Sequence, residues 1–534
     1  STLGKLDAAT LARHAPAILA RLKHSDSGVR EAAVSTLGQL DAATLARHAP
    51  AIVAMLKDSD SGVRKAAVST LGKLDAATLA QHAPAIVARL KHSDSGVREA
   101  AVSTLGKLDA ATLARHAPAI VARLKDSDSG VRAAAVWTLG KLDAATLAQH
   151  ALAIVARLED SDVFMRAAAV STLGQLDAAT LAQHAPAILA RLEDSGSDEH
   201  MAAVSSYVRA AALLTLGKLD AATLAQHAPA ILARLKDSDS GVRMAAVSTL
   251  GKLDAATLAQ HAPAIVARLK DSDSGVRKAA VSTLGKLDAA TLARHAPAIV
   301  ARLKDSDSGV RKAAVSTLGK LDAATLARHA PALVAMLKDS DSGVRAAAVS
   351  TLGQLDAATL ARHARAIVAM LKYWDSGVRE AAVSTLGQLD AATLAQHAPA
   401  IVARLEDSVS GVCRAAVSTL GQLDEATLAQ HAPSLVARLE DSDWGVRTMA
   451  LLTLGKLDAA TLAQHAPAIL ARLEDSDSDV RAAAVSTLGQ LDAATLAQHA
   501  PALVARLVDS VSGVSFPPTS CHCDRCLRRQ LHQQ

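Results

Sequence analysis

The stretch Ser35–Val68, STLGQLDAATLARHAPAIVAMLKDSDSGVRKAAV, restates Ser1–Val34, STLGKLDAATLARHAPAILARLKHSDSGVREAAV, with five changes. Self-similarity at a fixed period is the signature of an array in which each unit buries its apolar face only against its neighbours. Repeats open at Ser1, Ser35, Ser69, Ser103, Trp137, Ser171, Leu214, Ser248, Ser282, Ser316, Ser350, Ser384, Ser418, Leu452 and Ser486, 15 in all. The spacing is 34 throughout except for 43 between Ser171 and Leu214, an insertion of 9 within 171–213. The pattern is lost after Val514, so we expect one array over 1–514 and a divergent, disordered tail over 515–534.

Within a repeat, Asp7 supplies an N-cap ahead of AATLARHAPAILARLK, where Leu11, Ala15, Ile18 and Leu22 recur at the spacing of one helical face. Pro16 lies inside this helix A and is expected to bend it. HSDSG breaks the period as a turn, and VREAAVSTLGQL from Val29 places Val29, Ala33, Leu37 and Leu40 on one face of a helix B. Each repeat is thus a helical pair, and the fold class is all-α: an α-solenoid of about 15 pairs, superhelical or arc- or ring-shaped, with helix A outside and helix B inside. The insertion contains MAAVSS, close to the MAAVST of Met244–Thr249, with no Pro or Gly from Ser197 to Leu216. It therefore predicts a lengthened helix B capped by Ser197, projecting past the turn between A and B.

The composition excludes several classes. At 50% hydrophobic but 1% aromatic, the core must be aliphatic. The aromatic framework of a tetratricopeptide unit of the same length is missing, as are the paired base-reading positions of effector and organelle nucleic-acid arrays. Neither a long uninterrupted apolar run nor a secretory leader is visible, which predicts a soluble, cytoplasmic or nuclear protein. The opening inside a repeat, without Met, leads us to expect preceding residues. Apolar surface expected at both ends of the array favours end-to-end self-association.

The set formed by Pro16, the pair Leu56 and Asp58, the pair Val63 and Arg64, and AAVSTLG resembles the HEAT repeat, in particular the HEAT-like units related to those of phycobilin lyases. That resemblance implies a ladder in which the Asp and Arg of this position bond between neighbouring repeats. Departures at His24, His92, Tyr373, Cys413 and Ser515 predict gaps in it.

One His recurs per repeat, at the position of His14, His48, His82 and onward to His499. No mixed His and carboxylate ligand spacing accompanies it, so a half-buried imidazole bonded to a neighbouring helix is the expected role, with no metal, cofactor or catalytic residue. Every one of these His is followed by Ala, unlike the His-Glu dyads of iron-binding HEAT hydroxylases. In the tail, Cys521, Cys523 and Cys526 with His522 and His532 lack the two separated ligand pairs of a closed zinc site.

The net charge of +5 is blocked: +6 over 1–136, −4 over 137–213, +8 over 214–383, −7 over 384–514 and +2 in the tail. Alternating blocks suit complementary protein partners. The expected function is a non-enzymatic scaffold for other proteins; the alternatives are a nucleic-acid solenoid using the basic blocks 1–136 and 214–383, which the scarcity of stacking aromatics disfavours, and a phycobilin-lyase-like enzyme.

Variation among repeats picks out an exposed stripe on helix B. Its positions include Glu31, Lys65, Glu99, Trp137, Met244, Lys278, Lys312, Glu380 and Arg414, the expected partner-facing surface. Phe164, Tyr373, Trp374 and Trp444 are expected contacts on the ridge of turns between A and B. Because every interface is with a neighbour, deleting residues 282–315 should shorten the array while circular dichroism keeps the helicity per residue.

Overall fold

In the computed structural model, residues 7–195 and 199–500 of the 534 are described, and among them every regular element is helical. The chain divides into two compact units, Ser1–Leu287 and Asp288–Gln534, each a stack of helix pairs. The first pair sets the pattern. Helix A, Ala8–Ala20, begins where Asp7 accepts a hydrogen bond from the Thr10 amide, and it ends in a single 3-10 turn, Arg21–Lys23. Helix B, Ser27–Leu37, is capped by Asp26, which accepts from the Val29 amide. It therefore starts earlier than the apolar pattern suggests, with Ser27 and Gly28 in its first turn, and stops at Gly38 before Leu40.

The aliphatic core lies where the periodicity places it. Leu11, Ala15, Ile18 and Leu22 are at most 4% exposed, the helix B residues Ala33 and Leu37 and, beyond its end, Leu40 are also buried, and Val29 is half-buried. Val34 adds a second buried row, and a threonine row follows it: the Thr70 hydroxyl donates across the repeat boundary to the Val34 carbonyl at 3.3 Å. These small residues let helix B pack closely on the next helix B within each unit, whereas successive helices A barely meet. The closer packing makes the helices B a continuous layer within each unit.

The bend in helix A is a property of the position rather than of proline. Helices such as Ala42–Met55 run through Pro50, yet in five repeats helix A opens at His150, His227, His363, His397 or His465. Two of the five carry Leu152 and Arg365 where the others have proline. At His150 the backbone turns to φ −112°, ψ 3°, and the Ala153 amide donates to the His150 carbonyl in a tight i to i+3 bond.

The insertion does lengthen helix B. It runs from Glu199 to Leu216, 18 residues against the usual 11, and the expected cap Ser197 lies outside the described residues.

Close B–B packing makes a specific demand at the glycine that ends each helix B. A Cβ built on Gly106 would stand 2.9 Å from Thr138 Oγ1 and 3.3 Å from its Cγ2. Gly106→Ala should thus destabilise by about 1–3 kcal/mol through overpacking. In Gly106→Ala/Thr138→Ala part of that loss should return, measured by urea unfolding.

Candidate functional site

Two surfaces of each stack carry its chemistry, and the first is an ionic ladder. Arg98, in the first turns of one helix B, donates through Nη1 to the His92 and Ser93 carbonyls of its own A to B turn at 2.9 and 2.7 Å. Its Nε and Nη2 reach forward to Asp126 of the next repeat at 2.8 and 2.6 Å. Asp126 also accepts from the Asp128 amide. The same bidentate rung joins Arg30 to Asp58, Arg132 to Asp160, Arg209 to Asp237 and Arg243 to Asp271 in the N-terminal unit, and Arg311 to Asp339, Arg379 to Asp407 and Arg447 to Asp475 in the C-terminal one. The Arg30 hydrogen bonds hold the Asp58 carboxyl below its ordinary range against the opposing effect of burial. At Asp126 burial is the larger influence and acts upward, but the Arg98 bonds and Coulomb attraction outweigh it and the carboxyl is still lowered.

The ladder breaks where the sequence departs from its pattern. Arg64 meets His92 in place of an aspartate, and its Nε is buried without a partner. Burial and the Arg64 charge push the His92 imidazole below its usual value. Arg345, 2% exposed, lies over the ring of Tyr373 with 4.2 Å to the centroid, and its Nε and Nη2 are unpartnered. Cys413 replaces the arginine altogether; its Sγ donates to the Asp407 carbonyl at 3.0 Å, and burial raises the thiol. His24 keeps a local role, its Nδ1 accepting from the Asp26 amide, and Ser515 lies outside the described residues.

Two further inter-repeat bonds have only faint sequence signals, a Lys recurring in 9 of the 15 repeats and an Arg in 12. Lys73 Nζ donates to the Gly38 carbonyl at 2.7 Å, closing the C-terminus of the preceding helix B, and Lys141 does the same for Gly106 at 2.6 Å. Arg89 Nη1 donates to the Leu56 carbonyl at 2.9 Å at the end of the preceding helix A.

The second surface is the outward face of helix B. Glu31, Lys65, Glu99, Lys278, Lys312, Glu380 and Arg414 are exposed there, with Met244 42% and Trp137 55% exposed. Side chains at this position reach over the first turn of the next helix B: Glu31 Oε2 lies 2.9 Å from where a Cβ of Gly62 would be, and Glu380 Oε2 3.1 Å from that of Gly411. A shallow groove beside Trp137 is lined by Glu99, Gly130, Ala133, Thr138 and Lys141.

The ridge aromatics separate into different roles. Trp374 stands in a turn and is 79% exposed. Phe164 and Trp444 belong instead to the first turn of helix B, because the cap falls earlier than the apolar pattern suggests. Tyr373 is half-buried under Arg345. The histidine column also differs from expectation. Most of its imidazoles are half-buried, but among the described residues none makes a hydrogen bond to a neighbouring helix. Burial and an adjacent arginine push His116, His295 and His329 below their usual value. Among the described residues no cluster of three His, Cys, Asp or Glu side chains gathers around a common point, and no helix is long and apolar enough to cross a membrane.

A tandem helix pair whose neighbours are joined at most boundaries by a buried Arg–Asp rung fits an α-solenoid, and comparison with known proteins places it. The family model for HEAT repeats matches in overlapping segments over residues 15–386 and 398–514, and the chain belongs to the HEAT-repeat family. No curated protein sequence matches it. Among solved structures, importin beta in an ammonium sulfate condition aligns with TM-score 0.64 at 15% identity, covering 95% of this chain and 75% of that one. Importin beta in a polyethylene glycol condition gives 0.64 at 15%, covering 94% and 80%. Kap95p, described with RanGDP, gives 0.63 at 15%, covering 95% and 74%. At such identity the likeness is one of fold.

The ladder gaps are reparable. Tyr373→Asp gives Arg345 the carboxylate it lacks and should raise stability by about 2 kcal/mol. Since the folded state lowers ladder aspartates, that gain should be complete above the ordinary aspartate value of 3.8 and vanish as pH falls through the lower folded value. Urea unfolding across that pH range, with Tyr373→Phe as the control, checks both.

Proposed function

We propose that the chain is a non-enzymatic scaffold that binds other proteins along the helix B face. The observation that carries this reading is the division of neighbouring residues on one helix: Arg98 is spent inside the ladder while Glu99 beside it faces solvent, and this recurs from repeat to repeat. The exposed position varies among Glu, Lys, Met, Arg, Thr and Ala with the pair packing beneath it unaltered, so recognition can change without cost to the fold. Complexes described for neighbours of this fold, Kap95p with RanGDP and with Nup1, support the reading by analogy.

The nucleic-acid alternative has less to draw on than the charge blocks suggest. Much of the arginine and lysine is committed to Asp partners or to backbone carbonyls. It requires a binding affinity that falls steeply with salt. The lyase alternative requires a change in the absorbance spectrum of added bilin, and end-to-end association a sedimentation coefficient that rises with concentration.

The scaffold reading is tested by affinity capture from the native source. Replacing Glu31, Lys65 and Glu99 with Ala, the residue already at Ala133 and Ala346, should leave thermal unfolding unchanged and weaken a partner's retention by about tenfold. A wild-type chain that retains no protein overturns the reading.

A further inference from the structure

Large exposed apolar side chains of the N-terminal unit gather on one face. Among the described residues, apart from Leu152 on a helix A, they are Trp137, Phe164, Tyr207, Leu214 and Met244, at 55, 62, 57, 56 and 42% exposure. These five sit on four consecutive helices B, Ser129–Leu139, Val163–Leu173, Glu199–Leu216 and Ser240–Leu250. Phe164 and Tyr207 take the place of Gly28, Met244 that of Glu31, and Trp137 and Leu214 that of Ser35. Positions three, four and seven apart lie on one side of a helix, so the five form a single patch. With helices about 8–10 Å apart, four of them span roughly 25–30 Å, the length of about 20 residues of helix.

The charges around the patch are sorted as well. Glu31, Lys65 and Glu99 precede it at their position and Lys278 follows, but inside it that position holds Ala133, Ala167, Ala210 and Met244. Between Glu99 and Lys278 the Gly28, Glu31 and Ser35 positions of helix B bear no acidic residue. One edge is lined by exposed Lys141, Lys218 and Lys252. The ammonium groups of Lys141 and Lys218 are fixed on the carbonyls of Gly106 and Gly174, so their positive charge is held in place. An apolar strip with a fixed basic edge is complementary to a helix with an apolar stripe and acidic residues along one side.

We propose that this patch docks an acidic amphipathic helix of about 20 residues from a partner protein; the proposal rests on the scaffold reading and gives it a specific site. The probe is a labelled 20-residue helical peptide with a Leu stripe and Glu along one edge, and binding to the full chain is read by fluorescence anisotropy. Trp137→Ser/Leu214→Ser/Met244→Ala restores residues that other repeats carry at these positions, which keeps the fold intact. It should weaken binding by at least about tenfold, while Leu452→Ser, the same change in the C-terminal unit, should not. A peptide with Lys in place of Glu should bind about tenfold more weakly.

Equal binding by the triple variant, or of the two peptides, overturns the proposal. So does a wild-type dimer that the triple variant loses and the peptide does not dissociate, which assigns the patch to a second copy. If a protein captured by the wild type is captured equally by the triple variant, the patch assignment fails while the scaffold reading stands.

Discussion

The bidentate bond between an arginine on helix B and an aspartate 28 residues later is the constraint around which the repeat is organised. One guanidinium closes the A to B turn of its own repeat through two carbonyls and grips the next repeat through a carboxylate. Its planar fork suits both tasks at once, which a lysine's point charge does not. Both charges are largely removed from water, so losing one partner leaves the other buried and uncompensated, at about 3–5 kcal/mol. That explains why the turn sequence varies so little while exposed positions next to it vary freely. It also bears on what happens where a rung is missing: Arg345 takes an aromatic face as a substitute, and where Cys413 replaces the arginine, Asp441 is left with Arg438 of its own repeat at 3.6 Å and the Asp443 amide.

Helix B then serves as structure and surface together. Successive residues are about 100° apart on a helix, so a ladder residue and its successor have different environments. Ala, Val and Thr on the inward faces permit close approach of neighbouring helices B, and at Gly38, Gly72, Gly106 and Gly251 the terminal glycine is crowded by the next repeat's threonine. Lysines at the far end of the helix bridge both functions, because their ammonium groups close a neighbour's C-terminus while remaining at the surface. Variation tolerated by this scaffold is concentrated on one face, where it accumulates as charge in some repeats and as apolar area in others.

The fold was legible in the sequence because a strict period repeats the same burial problem at every boundary. Leu11, Ala15, Ile18 and Leu22 declared helix A, and the long helix B ending at Leu216 followed from an insertion free of Pro and Gly. Ladder gaps at His92, Tyr373 and Cys413 were legible too, since departures from a repeated polar pair show up against their own copies. The exposed stripe could be placed by helical spacing, but its variation alone did not distinguish recognition from drift.

Tertiary structure decided whatever depends on the distance between repeats. Lys73 on the Gly38 carbonyl and Arg89 on the Leu56 carbonyl involve backbone acceptors, which carry no side-chain signature. The opening of helix A at His150 and His363 occurs without proline, so proline is not what determines it. The apolar patch unites residues from Trp137 to Met244 only because packing sets their four helices side by side. A one-dimensional period fixes which residues face inward; the spacing of the stacked helices determines which outward residues become neighbours.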